Sequence, residues 1–404
     1  MKDIKITKPI YFFIVAFLFG FQYGCSQLTI ENTYSFVQEN KNAIQNCQEL
    51  QPFFKKLDQA SSRKINILHI GDSHLQPNQI TQVPRKQLQK VFGNAGRGLI
   101  VPYKVAGTNS PDDIISTSQF KWEGKRNCKP LIPQPTGIGG ISLKSLDSAS
   151  TFIFRLPHEY AFSSMTVFFE NDGKSYDLFA KDLIHGEVIN LKNFIDEKNP
   201  NVSKIKFSQP TNEVKILSLK TSLEQTHTTI LGINTENEEN GIVYHSIGVN
   251  GAEYYHYDTS EYFNEETPFL NPDLIIISLG TNEAFRKNFD EEDFKSEVHK
   301  FITNLRKYNP EIPFLITTPA NSYINKKYQN PKLKRVRDIL VAYCKENQLA
   351  FWDLQEITGN AQNWKNNQLI SKDLIHYNAK GYRLQGELLY NALINSYKEY
   401  VTTK

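Results

Sequence analysis

Five short apolar runs constrain this chain more than any other feature. They are KINILHIG (Lys64 to Gly71), GIVYHSIG (Gly241 to Gly248), PDLIIISLG (Pro272 to Gly280), PFLITT (Pro313 to Thr318) and LAFWDL (Leu349 to Leu354). A strand with one wet face alternates apolar and polar residues; these runs do not, which suits strands buried on both faces of a parallel sheet. Helical patterns lie between and after them, at Thr81 to Phe92 with Pro84 in its first turn, Asp290 to Tyr308, Pro331 to Asn347 and Ala379 to Tyr397. Strand followed by helix, repeated, predicts an α/β sheet of about five parallel strands with helices on both faces.

The spacing breaks once. A strand plus crossover helix takes roughly 30 to 40 residues, but roughly 170 separate the end of the first run from Gly241. Seven alternating or near-alternating runs fill the gap: STFIFRL from Ser150, SMTVFFE from Ser164, SYDLFAK from Ser175, GEVINLK from Gly186, VSKIKFS from Val202, VKILSLK from Val214 and THTTILGI from Thr226. Turn residues punctuate them, as in Asn171-Asp172-Gly173 and Asn199-Pro200. The pattern predicts an inserted all-β sandwich at 115–240, entered through the glycine-rich GIGGISL (Gly137 to Leu143), between a first segment of the α/β domain at 27–114 and a second at 241–404. Phe154, Phe168, Phe169, Tyr176 and Phe179 are expected mostly in its core.

Residues 1–26 read as an export signal. Lys2, Lys5 and Lys8 precede Ile10 to Phe21, an apolar run of 12 residues, too short for the ~20 of a spanning helix. Gly24 and Ser26 fit cleavage before Gln27, while Gly24-Cys25 also fits a lipoprotein signal that would leave a lipidated Cys25 on the membrane, although Gln22 stands where that class carries leucine. Cys47, Cys128 and Cys344 then remain, without metal or disulfide spacing. With 46 basic and 43 acidic side chains and no basic stripe, nucleic acid is not an expected partner.

In an open parallel sheet the strand ends converge on one crevice. Here they carry Gly71-Asp72-Ser73, Val249-Asn250-Gly251-Ala252 and Gly280-Thr281-Asn282-Glu283, and Asp373-Leu374-Ile375-His376 precedes the last helix. Acyl transfer needs a hydroxyl in a tight strand-to-helix turn, a base, a group that orients the base, and donors for the oxyanion. Ser73 supplies the nucleophile and His376 the base; Asp373 reaches the other imidazole nitrogen if that stretch forms one helical turn. The amides of Ser73 and Gly251 and the side chain of Asn282 supply the donors. Gly251 is preferred to Gly248 because it shares a turn with Asn250, leaving Gly248 as the strand-end glycine. Gly71 lets the chain turn, and Asp72 braces it.

In that order, these blocks resemble the SGNH (GDSL-like) hydrolase superfamily. Within it the chain is most similar to exported bacterial peptidoglycan O-acetylesterases that carry a carbohydrate-binding-like β-sandwich. GDSHLQ at 71–76, FGNAGRGLIVPY at 92–103, GVNGAEY at 248–254, SLGTNEA at 278–284 and DLIHYNAKGY at 373–382 carry the resemblance. It implies a flavodoxin-like three-layer fold and a serine acetylesterase acting on an acetylated glycan, with no metal or organic cofactor. Where the superfamily commonly has Asp, this chain has Glu283, expected to support Asn282. Acetylated xylan is the second substrate, and transfer of acetyl to a sugar uses the same machinery.

Plainer readings stand beside these. A Gly-Asp-Ser triplet is often a turn and Gly-Thr-Asn a helix cap. His74 adjoins Ser73, but neighbouring side chains diverge, so it is expected to line the cleft or touch substrate rather than act as base. His69 reads as a core histidine, and His245 and His256 lack zinc-ligand spacing. Lys332 to Arg337 reads as the solvated face of a helix. A lipase or thioesterase would want an apolar acyl groove, and a glycan-binding module would lack a working serine site.

Overall fold

The computed structural model describes residues 34–404, so the leader at 1–26 and Cys25 lie outside the described residues. The apolar runs form one sheet: β1 (Lys64–Gly71), β2 (Gly241–Gly248), β3 (Leu274–Ser278), β4 (Phe314–Thr317) and β5 (Ala350–Trp352). All five are parallel, in the order β2-β1-β3-β4-β5, and Ile44–Gln45 adds an antiparallel edge beside β5. This is the doubly wound order of a flavodoxin-like sheet, in which the chain leaves β1 towards one edge and then towards the other. β1 thus lies between β2 and β3, paired through Gly71↔Gly248 and Gly71↔Ser278, and its end meets the ends of both neighbours.

Each strand feeds two cores. Ile65 and Ile67 of β1, with Leu274 and Ile276 of β3, pack on one face; Leu68, Ile70, Ile275 and Ile277 pack on the other. Period-two geometry makes this division, and coverage of both faces removes the regular alternation of polar positions from the pattern. The first face is covered by Gln51–Leu57, α1 (Gln82–Phe92) and α4 (Ala379–Thr403), the second by Tyr254–Asp258, α2 (Glu291–Tyr308) and α3 (Pro331–Glu346). Asp290 caps α2 by accepting from the Asp293 amide at 2.9 Å, and Asn330 caps α3 ahead of Pro331. Leu333 and Val336 turn inward while Lys334 and Arg335 face solvent.

Two antiparallel sheets occupy the long gap. One runs Val188–Asn190, Asp177–Asp182, Glu213–Leu219, Ala149–Arg155, Ile115–Thr117; the other runs Val202–Thr211, Phe162–Phe169, Thr228–Glu236, Ile141–Ser145, Glu123–Arg126. Inward residues of both, among them Phe152, Phe154, Val167, Ile216 and Ile233, join the second core of the parallel sheet. Phe154, Phe168, Phe169 and Tyr176 are buried, and Phe179 is half-buried. The β domain is more extensive than its seven legible runs. Gly98–Ile100 pairs with Thr228–Glu236, ahead of the anticipated start at 115, and the glycine-rich run Gly137 to Leu143 is not the entry: its glycines form a turn leading into the strand Ile141–Ser145, after Ile115–Thr117 and Glu123–Arg126 have already joined the sheets. GEVINLK keeps only Val188–Asn190 as strand before a 3-10 turn at Leu191–Phe194.

A buried charge cluster fastens the domains together. Arg85 of α1 and Arg97 both pair with Asp113, at the entrance to the β domain, and all three are buried. Burial raises the Asp113 carboxyl, but Arg97 and Arg85 outweigh it and hold the group down to about 2. Cys47, Cys128 and Cys344 are free thiols.

Candidate active site

β1 ends at Gly71, where a Cβ would fall 2.7 Å from Leu75 Cδ2 and 3.0 Å from the Ser278 carbonyl oxygen; glycine lets the strands close at this point. The chain then turns tightly: the Leu75 and Gln76 amides both donate to the Asp72 carbonyl at 3.1 Å, and Asp72 Oδ1 accepts from the His74 amide at 2.9 Å. The turn presents Ser73 at the floor of a cavity of about 980 Å³, which Gly251, Asn282 and His376 also line.

Ser73 Oγ lies 2.8 Å from His376 Nε2, and His376 Nδ1 lies 2.7 Å from Asp373 Oδ2. An ionised carboxylate only accepts, so Nδ1 carries hydrogen and Nε2 is left to accept from the serine hydroxyl. Asp373 and His376 do not belong to a helical turn. Leu374 sits at φ +62, and Asp373 Oδ1 accepts from the Ile375 and His376 amides at 2.9 and 3.0 Å. The side chain thus serves as acceptor for its own loop. Burial raises the Asp373 carboxyl, but the hydrogen bonds from His376 and these amides outweigh it and hold the group below its ordinary value.

Gly251 has φ +87, a conformation glycine adopts without penalty, and the nearest atom to an added Cβ is Cys128 Sγ at 3.5 Å. Gly248 differs: a Cβ there would fall 2.1 Å from the Gln76 amide nitrogen, so this glycine is required by close packing of β2 against the serine turn. Between them Asn250 donates its amide to Gln76 Oε1 at 2.8 Å, and its side chain donates to Asn109 Oδ1 at 2.7 Å. Asn282 Nδ2 donates to the Ala252 carbonyl at 2.8 Å and to Asp72 Oδ2 at 3.3 Å. Burial, with hydrogen bonds opposing it, pushes the Asp72 carboxyl up to about 7.

Two expectations for neighbouring residues are corrected. His74 does not line the cleft: it is buried behind His376, ring centroids 5.1 Å apart, with Nδ1 3.1 Å from Tyr382 Oη. Burial first, and then the nearby His376, pushes its imidazole down to about 3. Glu283 does not hold Asn282. Its Oε1 accepts from the Tyr254 amide at 3.0 Å, fixing the chain that follows Gly251, and burial pushes its carboxyl up to about 8. His69 is a core residue bonded to Tyr244 and Ser278, and His245 is held by Leu99 and Asn66. Glu170, Asp172 and His227 approach within 4.8 Å of one another in the β domain, where His227 Nε2 bonds Glu170 at 2.9 Å.

Sequence reasoning gave no role to Gln76 or Asn109, which position the Asn250 loop, nor to Arg126, Cys128 and Lys129, which the β domain brings into the cavity wall. Gln76 belongs to the GDSHLQ run and was accessible from the sequence. The last three lie in a segment whose strand, Glu123–Arg126, carries no apolar residue to reveal it.

A parallel sheet in this order, with a serine turn at its centre, is an SGNH hydrolase fold. Residues 232–384 match the family model of the GDSL-like Lipase/Acylhydrolase family. Among solved structures, the chain is similar to "Peptidoglycan O-acetylesterase in action, 5 min", with 22% identity and a TM-score of 0.72 over 89% of this chain and 99% of that one. A family two carbohydrate esterase from Cellvibrio japonicus matches at 10% identity and TM-score 0.29, over 70% of this chain and 99% of that one. An acetyl esterase mutant matches at 13% identity and TM-score 0.31, over 39% and 73%. Comparison with curated proteins gave no match. The match to the first of these structures spans most of both chains, so the two share an overall fold.

Proposed function

We propose that this protein is a serine esterase that removes O-acetyl groups from a cell-wall polysaccharide, with peptidoglycan as the favoured substrate. The observation that carries the reading is the continuous relay from Ser73 Oγ through His376 to Asp373, at 2.8 and 2.7 Å, on the floor of an open cavity. Ser73 Oγ attacks the acetyl carbonyl as its proton passes to His376 Nε2, while Asp373 accepts from Nδ1 and stabilises the imidazolium. The oxyanion is received by the Ser73 and Gly251 amides and by Asn282 Nδ2, whose long 3.3 Å bond to Asp72 is the weaker of its two and the one given up. The tetrahedral centre collapses, the carbon–oxygen bond to the sugar breaks, and His376 returns the proton to the sugar oxygen. Water, deprotonated by His376, then attacks the acetyl-serine, and acetate leaves as Ser73 regains its proton.

The export-signal pattern of residues 1–26 supports an activity outside the cytoplasm, where peptidoglycan lies. Among the described residues no helix is long and apolar enough to cross a membrane. The test offers the full chain and its Ser73→Ala variant O-acetylated peptidoglycan, acetylated xylan, and short- and long-chain aryl esters, with acetate or phenol release measured. Wild type is expected to release acetate from peptidoglycan and the variant to lose about 10³-fold or more. Equal rates for both on every ester would overturn the catalytic reading; preference for long acyl chains would make the protein a lipase.

A further inference from the structure

The cavity above Ser73 has an unbalanced charge. Arg126 and Lys129 of the β domain line it, and no aspartate or glutamate does among its described lining residues. The chain as a whole is nearly neutral, with a formal charge of +3, so this local excess is a property of the cleft. Arg126 Nη1 donates to the Asn250 carbonyl at 3.2 Å, which holds the guanidinium beside the Gly251 turn while its other N–H groups stay available. The Lys129 amide donates to the Arg126 carbonyl at 2.9 Å, closing a turn that carries both cations on one wall. The neighbouring carboxylate of Glu253 is engaged by Arg286. Lys125, one residue before Arg126, instead points to the Gln134 carbonyl and Glu261, so the cation placement is specific to 126 and 129.

We infer that Arg126 and Lys129 form an anion subsite by which the β domain selects acetylated glycans carrying a carboxylate close to the ester, over neutral acetylated polysaccharides. This rests on the esterase reading and deepens it. A cavity of about 980 Å³ is at the top of the roughly 300–1,000 Å³ range of small-molecule sites, giving room for a second group beside the reacting acetyl. A planar guanidinium takes a carboxylate through two parallel N–H donors, and the flexible ammonium adds a second, more exposed charge. Neutral sugars can accept ordinary hydrogen bonds from either group but gain no charge pairing.

The test uses one ligand in two forms, an O-acetylated muroglycan fragment with free carboxylates and the same fragment with its carboxylates amidated. Binding is measured by calorimetry on the full-length Ser73→Ala chain, and kcat/KM on the chain with Ser73 intact. The expected result is tighter binding and higher kcat/KM for the acid form, a preference that weakens as salt rises. Arg126→Gln should cut the acid-to-amide ratio roughly tenfold or more, and Lys129→Gln, at the exposed end, roughly two- to fivefold. Arg126→Lys should restore part of what Arg126→Gln loses. An acid-to-amide ratio near one in wild type, or one unchanged in both glutamine variants, overturns the subsite. Because binding is read without turnover, absence of hydrolysis would defeat the esterase reading while leaving this measurement decisive.

Discussion

Asp72 carries an unusual coupling between pH and stability, and replacing it with asparagine exposes that coupling. The carboxyl is buried, 1% exposed, so solvent screening does not reduce the effect. Its ordinary value of 3.8 is raised to about 7 in the fold, chiefly by burial. A carboxyl that holds its proton more tightly when folded stabilises the fold below its unfolded value, and that contribution is lost as pH rises through about 7. Between about pH 4.5 and about pH 8 the loss amounts to about 3 kcal/mol. Asp72→Asn cannot ionise and removes this slope. It also removes an acceptor: one oxygen must replace the two that now accept from the His74 amide and Asn282 Nδ2, a cost of about 1–3 kcal/mol that does not vary with pH. Urea unfolding followed by tryptophan fluorescence separates the two effects, because the constant cost shifts both curves while the ionisation changes their separation. Wild type minus variant should therefore fall by about 3 kcal/mol from the lower pH to the higher. A constant separation at both pH values would show that Asp72 is already ionised in the acid range and that its hydrogen bonds outweigh its burial.

The glycine that ends β2 and the glycine of the loop after it should fail for different reasons. Gly248→Ala places a Cβ 2.1 Å from the Gln76 amide nitrogen and should sharply reduce soluble, folded protein; Gly251→Ala meets only Cys128 Sγ at 3.5 Å and should fold, with a left-handed penalty of about 1–2 kcal/mol and a fall in kcat, measured by thermal melting and aryl acetate turnover. Asp113→Asn leaves Arg85 and Arg97 buried without their counter-charge and should cost about 3–5 kcal/mol in urea unfolding. Asp113 is held down to about 2, so its contribution is present above its ordinary value of 3.8 and is lost as pH falls through about 2; the deficit of the variant should shrink on acidification over that window.

The parallel sheet was legible because burial on both faces removes the regular polar alternation from β1 to β5, so each stands out as a mainly apolar run even where Asn66, His69 or His245 is buried within it. The edge pair Ile44–Gln45 was not, since two residues carry no periodicity. The same limit hid Gly98–Ile100, Ile115–Thr117 and Glu123–Arg126, whose pairing partners rather than their own side chains make them strands. In the site, residue types and order pointed to Ser73, His376, Asp373 and Asn282, and the fold brings these four to one cavity, Asp373 through its bond to His376. What sequence could not supply was direction. Nothing local says that His74 turns inward to Tyr382, or that Glu283 bonds the Tyr254 amide rather than its neighbour Asn282. Nor does a helical reading of Asp373 to His376 foresee Leu374 at φ +62, which the surrounding contacts impose: the Leu374 carbonyl accepts from Tyr323 at 2.8 Å and its amide donates to Ser371 at 3.0 Å.

The point of insertion explains why the β domain touches the loop beside the serine site. The chain leaves the sheet after α1 and returns from Thr228–Glu236 almost directly into β2, whose end carries Asn250 and Gly251. The loop at that end is then held from two sides. Gln76, in the serine turn, accepts from the Asn250 amide, while Arg126 and Cys128 of the β domain both donate to the Asn250 carbonyl at 3.2 Å. Asn250 is thereby fixed through both of its flanking peptide groups, one to the nucleophile turn and one to the inserted domain, immediately before the glycine proposed to receive the oxyanion. Contacts made by a glycan along Arg126 and Lys129 would bear on the residues that set the Gly251 amide, so binding energy gained at the β domain can be expressed where the acetyl group reacts.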